Sequence, residues 1–381
     1  MKKWKDFMNS GPLIKRLYID NYKCLVNFEV FFASINLLLG TNGAGKSTIF
    51  EVIHCLQLFI GGYEKVRKVF PQDNCTRWQK LPMQRFELDL EGNGGLYKYE
   101  LSVEHHDVER LSRVHWEKLS FDDKPLFALN KGDALLYRDN HSEGPKYPFD
   151  WSQSGIATLM PSKDNRKLTW FKECIENLIV VGINSKAMES ESENEEKSPS
   201  SGMENYASWL RYLSQERQGK VLELTQVLRE ILEGFDSFKI AQAGETRRVL
   251  KLGFWSDQEK KSIHYYNLSD LSDGQRALLA LYTFLYCSES SGGIICIDEP
   301  ENFLALPEIQ PWLTHLHDLC GDGGLQALLI SHHPELIDYM ASSSGFWLDR
   351  LYNGPVRIKR ITEEGIGMPI SELIARGWIH E

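Results

Sequence analysis

Residues 40–48 read Gly-Thr-Asn-Gly-Ala-Gly-Lys-Ser-Thr, and no other stretch restricts the chain so tightly. Ile35 to Leu39 is apolar without a break, as a buried strand requires, and Ser47 to Leu58 continues with helical periodicity. The glycines therefore fall in the turn between a strand and a helix, which is a cradle for phosphate. Gly40, Gly43 and Gly45 permit positive φ and bring backbone N–H groups close to an anion, and the following helix directs its positive end at the same place. The pattern G-x-x-x-x-G-K-[ST] is complete. In it Lys46 pairs with the β- and γ-phosphates of a nucleotide, Ser47 offers its hydroxyl to Mg²⁺, and Asn42, Gly43, Ala44, Gly45 and Thr48 complete the cradle.

A chain of 381 residues with a 42% hydrophobic fraction suits one large α/β domain carrying an inserted subdomain, or two domains. No run of about 18 apolar residues occurs, so no membrane span is expected. The basic start, Met1 to Lys5, is not followed by an apolar segment and a small-residue cleavage site, which argues against a secretory signal and for a cytoplasmic home. Seven cysteines, far apart and never spaced C-x-x-C, read as reduced and mostly buried thiols. The net charge of −10 repels phosphate backbones, so nucleic acid would need a local basic patch and a protein partner is favoured.

Leu13 to Ile19 and Val26 to Phe32 read as strands leading to the phosphate loop. Lys65, Arg67 and Lys68 read as a solvated face. From Phe86, period-two runs (Phe86 to Leu90, Tyr97 to Val103, Val114 to Phe121) broken by glycines and Asp122-Asp123 predict antiparallel hairpins, a β-rich lobe over 84–136. Gln84 stands at its junction with the phosphate-loop unit, where a side chain can report on what that loop holds. Residues 140–235 read as a helical insertion with helices at 168–178, 206–213 and 221–232, a strand at 179–183, and an acidic mobile loop at 188–202. Residues 236–381 form the remaining lobe, with strands at 238–240, 249–255 and 263–266, terminal strands at 346–351 and 356–361, and a short helix from Ile370 to Gly377.

Two further stretches carry chemistry. Leu271-Ser272-Asp273-Gly274-Gln275 precedes an apolar-faced helix, with Ser272 as N-cap and, together with Gly274, as a second anion site. Ile294 to Ile297 is a buried parallel strand ending in Asp298-Glu299, the edge on which open α/β sheets bind ligands. Asp298 there can hold Mg²⁺, and Glu299 can orient or deprotonate a water. Ala327 to Ile330 is a similar strand, and its following His332 or His333 could reach a γ-phosphate.

In this order the phosphate loop, the Leu271-to-Gln275 stretch, Asp298-Glu299 and the histidine resemble the motifs of ABC-type ATPases, over residues from about 12 to 350. The absence of membrane spans resembles the SMC, Rad50 and RecF branch. The run Asp298-Glu299-Pro300-Glu301-Asn302-Phe303-Leu304 with Pro307 is similar to the bacterial AAA_21 or OLD-like ATPases, among them ATPase subunits of the Septu and PARIS anti-phage systems.

The resemblance implies a single ABC-type head spanning 1–381 that hydrolyses ATP slowly with Mg²⁺. It implies that Gln84 is the Q-loop residue contacting Mg²⁺ and the attacking water, and that His332 rather than His333 is the switch histidine. Ser272 and Gly274 would bind the γ-phosphate of ATP held by another copy, so that at least a homodimer forms, and the partner controlled would be a nuclease or toxin encoded nearby. Asp273 departs from the family's glycine and Ala305 from a common histidine. No heptad arm or C-x-x-C hook is present, and fewer than about 60 residues follow His332, so cutting is expected of another protein. The alternatives are a RecF-like DNA-repair clamp and a scaffold that binds ATP without hydrolysing it; a transporter motor fits least.

Overall fold

The computed structural model describes residues 11–79, 81–106, 111–256, 259, 261–287, 293–352, 354–361 and 368–376. The basic start Met1 to Lys5 and Gly377 lie outside them. The chain begins with β1 (Leu13–Asp20), β2 (Phe28–Phe31) and β3 (Ile35–Gly40), from which α1 (Lys46–Ile60) departs. One turn of helix, α2 (Val66–Val69), leads to β4 (Met83–Gly92), β5 (Gly95–His106), β6 (Leu111–Phe121), β7 (Lys124–Asn130), β8 (Asp133–Tyr137) and β9 (Glu143–Pro148). There follow α3 (Arg166–Glu176), β10 (Ile179–Gly182), β11 (Glu191–Ser192), α4 (Tyr206–Glu216), α5 (Gln218–Ile231), β12 (Phe235–Gln242), β13 (Arg248–Trp255) and β14 (Ile263–Asn267). The last part holds α6 (Asp273–Cys287), β15 (Gly293–Asp298), α7 (Leu306–Gly321), β16 (Leu325–Ile330), α8 (Pro334–Ser344), β17 (Gly345–Asp349), β18 (Arg357–Arg360) and α9 (Ile370–Ala375).

The expected α/β class is the one found. An eight-stranded antiparallel sheet runs β2-β1-β4-β5-β6-β7-β8-β9, and a six-stranded sheet runs β10-β15-β16-β3-β17-β18 with only β18 antiparallel. A smaller sheet joins β11, β12 and β14 to β13. The central strands β3, β15 and β16 are buried on both faces, which is why they are apolar without alternation. Leu38, Cys296, Leu328 and Ile330 face α1, α3 and the antiparallel sheet, while Leu37, Leu39, Ile297 and Leu329 face α4 to α8. None of the described helices is long and apolar enough to cross a membrane.

Three boundaries differ from expectation. The antiparallel lobe continues through β9 to Pro148 rather than stopping at 136, and it includes β1 and β2. Residues 140–235 are not only helical: β9 belongs to that lobe, and β10 is an edge strand of the six-stranded sheet, pairing Ile179 with Ile295 and Gly182 with Asp298. The acidic stretch 188–202 is docked rather than free. Arg211 meets Glu195, Arg247 meets Glu191 and Glu193, and Asn205 accepts from the Ser200 N–H. Helices α7 and α8 were not foreseen, because Pro307, Pro311 and Pro334 punctuate those stretches. Two of these prolines sit in first turns, where no N–H is needed.

Candidate functional site

Four parallel strands end on one edge, and each delivers a piece of the site. β3 ends in the phosphate loop, β15 in Asp298-Glu299, β16 in Ser331-His332, and β17 in Arg350. Together they open onto a cavity of about 930 Å³. Gly40, Gly43 and Gly45 all have positive φ. At Gly40 a Cβ would run into the Leu348 carbonyl oxygen of the neighbouring strand, so only glycine fits there.

Lys46 is buried, and its ammonium donates to the Gly40 carbonyl at 2.8 Å and the Thr41 carbonyl at 3.2 Å. Burial pushes its pKa down, against the pull of Asp298 and Glu299. A desolvated cation held only by neutral carbonyls of a glycine loop suits an incoming phosphate. Ser47 Oγ donates to Asp298 Oδ2 at 2.8 Å, joining two stretches far apart in sequence. Burial raises the Asp298 carboxyl, the Ser47 bond opposes this, and the adjacent Glu299 raises it further. A divalent cation between the hydroxyl and the carboxylate would relieve that crowding. No cluster of three or more His, Cys, Asp or Glu able to hold a metal exists among the described residues. One hydroxyl and one carboxylate side by side fit Mg²⁺, which is held by few protein groups and completed by phosphate and water.

Glu299 has φ 54°, in the left-handed region that costs a non-glycine residue, and its N–H is tied to the Ile330 carbonyl at 2.9 Å. Its Oε2 accepts from the Asn302 amide at 2.7 Å. Strain and bond together fix the carboxylate at the cavity wall. Glu301 is buried, and its Oε1 accepts from Ser331 Oγ at 2.5 Å and from the His332 N–H at 3.2 Å. Of the two candidate histidines, His332 lines the cavity and His333 does not.

Gln84 does not reach the cavity, contrary to the Q-loop expectation. It is the second residue of β4, and the period-two alternation that buries Phe86, Leu88 and Leu90 turns Gln84 to the same side. Its Nε2 donates to the Asn21 carbonyl at 3.1 Å, and its Oε1 pairs with His105 Nε2 at 3.0 Å. Ser272 and Gly274 also lie outside the cavity, at the start of α6. There Ser272 Oγ accepts from the Gln275 N–H at 3.2 Å while Gln275 Oε1 accepts from the Ser272 N–H at 3.0 Å, a reciprocal cap. Ser272 itself is exposed, and Asp273, in place of the family's glycine, is taken up by Arg276 at 2.9 Å.

Lys23, Asn74, Arg77, Trp78 and Arg350 line the cavity and were not foreseen. For Arg350 a signal existed. It follows a strand on the same edge as Asp298, but the predicted strand 346–351 swallowed it, whereas β17 ends at Asp349.

Residues 190–338 match the AAA_21 family, described as "AAA domain, putative AbiEii toxin, Type IV TA system". That stretch holds Ser272, Asp298, Glu299 and His332 but not the phosphate loop. The chain is similar to an ATP/GTP phosphatase of Helicobacter pylori, 22% identical over 350 residues, which covers 86% of this chain and 87% of the relative. It is also similar to a DNA double-strand break repair Rad50 ATPase of Nanoarchaeum equitans, 27% identical over 173 residues, 43% of this chain but only 20% of that protein. Among solved structures, the SMC head domain from Thermotoga maritima aligns over 91% of this chain and 98% of its own, at 12% identity and a TM-score of 0.48. An SMC head bound to the C-terminal winged-helix domain of ScpA aligns over the same shares, at 12% identity and a TM-score of 0.49. The phosphate loop joined through Ser47 to an acidic strand end, together with the phosphatase and ATPase relatives, identifies an ATPase that is similar to the AAA_21 family over residues 190–338.

Proposed function

We propose that this ATPase is a switch in which two copies close head to tail around ATP and Mg²⁺, and that the closed state controls a nuclease or toxin in anti-phage defence. The observation that carries the chemistry is the 2.8 Å bond from Ser47 to Asp298, which puts the phosphate loop and the acidic strand end in one cavity with Lys46, Glu299 and His332. When ATP enters, the Lys46 ammonium exchanges two backbone carbonyls for the β- and γ-phosphates. Ser47 and Asp298 would hold Mg²⁺, which would supply neutralisation of the charge developing on the phosphate oxygens. Glu299 orients a water in line with the γ-phosphorus and takes its proton as the bond to the β–γ bridging oxygen breaks. His332 donates to the γ-phosphate.

Closure by a second copy is supported by the exposed, capped Ser272 with Gly274, an anion site outside the chain's own cavity. The defence role rests on the resemblance of the Asp298-to-Pro307 run and on the words toxin and TA system in the matching family's description. The Rad50 relative favours a second reading, a DNA-repair clamp, against which the net charge of −10 counts.

Phosphate release from ATP and Mg²⁺ separates these roles. Glu299→Gln should lower turnover by about 10²- to 10⁴-fold with ATP affinity retained, and Lys46→Ala should lose ATP affinity. A Glu299→Gln variant that turned over like the parent would remove Glu299 from its role. Salt-sensitive binding to duplex DNA would favour the clamp.

A further inference from the structure

Loop 71–79 forms the wall of the cavity that faces the strand ends, and it is unusually well anchored. The Lys23 N–H donates to the Asn74 carbonyl at 2.7 Å, Asn74 Nδ2 donates to the Tyr22 hydroxyl at 3.1 Å, and the Thr76 N–H donates to Asn21 Oδ1 at 3.0 Å. Asn21 is wholly buried. Its own amide donates to the Leu81 and Met83 carbonyls, and its carbonyl is gripped by Gln84, with His105 behind. What this scaffold displays is Trp78, which lines the cavity with 44% of its surface exposed. A tryptophan so exposed on an anchored wall leaves apolar area open beside the cavity.

Arg350 approaches from the opposite side, its guanidinium carbon 5.5 Å from the Trp78 ring centroid. It leaves β17 two residues beyond Leu348, which pairs with Gly40 of the phosphate loop, and its Nε donates to the Gly354 carbonyl at 2.8 Å. The indole and the guanidinium are thus each fixed relative to the loop that would hold the phosphates, and they share one cavity with it. A cavity of about 930 Å³ has room beyond a triphosphate for the remainder of a nucleotide.

We propose that Trp78, backed by Arg350, is the platform on which the nucleobase stacks. The proposal rests on the nucleotide reading of the phosphate loop. A flat aromatic face recognises the π-surface that every base has and not its pattern of donors and acceptors. The platform therefore takes adenine and guanine nucleotides alike, and the substrate class is nucleoside triphosphate rather than ATP alone. Gln84 serves this wall indirectly, as a positioning residue acting through Asn21 and Thr76.

The test is the affinity of the full-length chain, with Mg²⁺, for ATP, GTP and inorganic triphosphate, measured by calorimetry on the parent protein and on Trp78→Ala and Trp78→Phe. The expected result is that the parent binds ATP and GTP within a few-fold of each other and more tightly than triphosphate. Trp78→Ala should weaken both nucleotides by on the order of ten-fold, the size stacking has in alanine substitutions, leave triphosphate unchanged, and be largely restored by phenylalanine. Equal weakening of all three ligands, or nucleotide affinities unaffected by Trp78→Ala, would overturn the platform and leave the phosphate loop standing. A parent protein that bound none of the three would instead overturn the nucleotide reading beneath it.

Discussion

At the scale of single residues, what was legible in the sequence is what a local motif encodes. Lys46 and Ser47 are placed by a turn of fixed length, and Asp298 and Glu299 by the end of an apolar strand, so neighbours in sequence suffice to locate them. The Q-loop expectation for Gln84 rests on its neighbourhood in sequence, a subdomain junction, which says nothing about which way a strand residue points. The alternation of β4 decides that, and it sends Gln84 to His105 and Asn21. Replacing it with alanine removes two buried hydrogen bonds, so Gln84→Ala should lower stability by about 1–3 kcal/mol in urea denaturation. Unchanged stability combined with lost hydrolysis would return Gln84 to the catalytic site.

At the scale of elements, the antiparallel lobe was visible in its period-two runs, and the parallel sheet in its unbroken apolar ones. The connection between the lobe and the segment after it was not visible. It depends on Glu117 of β6, wholly buried, whose Oε1 accepts from Ser154 Oγ at 2.6 Å and Tyr99 at 2.9 Å, and whose Oε2 accepts from the Gly155 N–H at 2.8 Å. No sequence pattern announces a carboxyl in a core. Burial raises its pKa from the ordinary 4.5 to about 7, outweighing the three hydrogen bonds. Because the folded value lies above the unfolded one, this group's contribution is fully present below about pH 4.5 and is lost as pH rises through 7. Glu117→Gln removes the titration. The variant's stability relative to the parent should therefore rise between pH 5 and pH 7.5, by up to about 3 kcal/mol. A difference between the two proteins that did not change with pH in thermal or urea unfolding would contradict the buried-carboxyl account.

At the scale of the whole molecule, the residues of the proposed chemistry do not all meet in one place. Lys46, Ser47, Asp298, Glu299 and His332 share one cavity, while Ser272 and Gly274 stand at the exposed start of α6 and contribute nothing to it. On the proposed reading, Ser272 and Gly274 have no phosphate to meet within their own chain. In the proposed dimer they close the cavity of the other copy, and ATP becomes the material that holds two chains together. The mass in solution of Glu299→Gln with saturating ATP and Mg²⁺, measured by light scattering, tests this most directly. The account predicts the mass of two chains with ATP, falling to that of one chain when ADP replaces it; a single-chain mass with ATP demonstrably bound would contradict it.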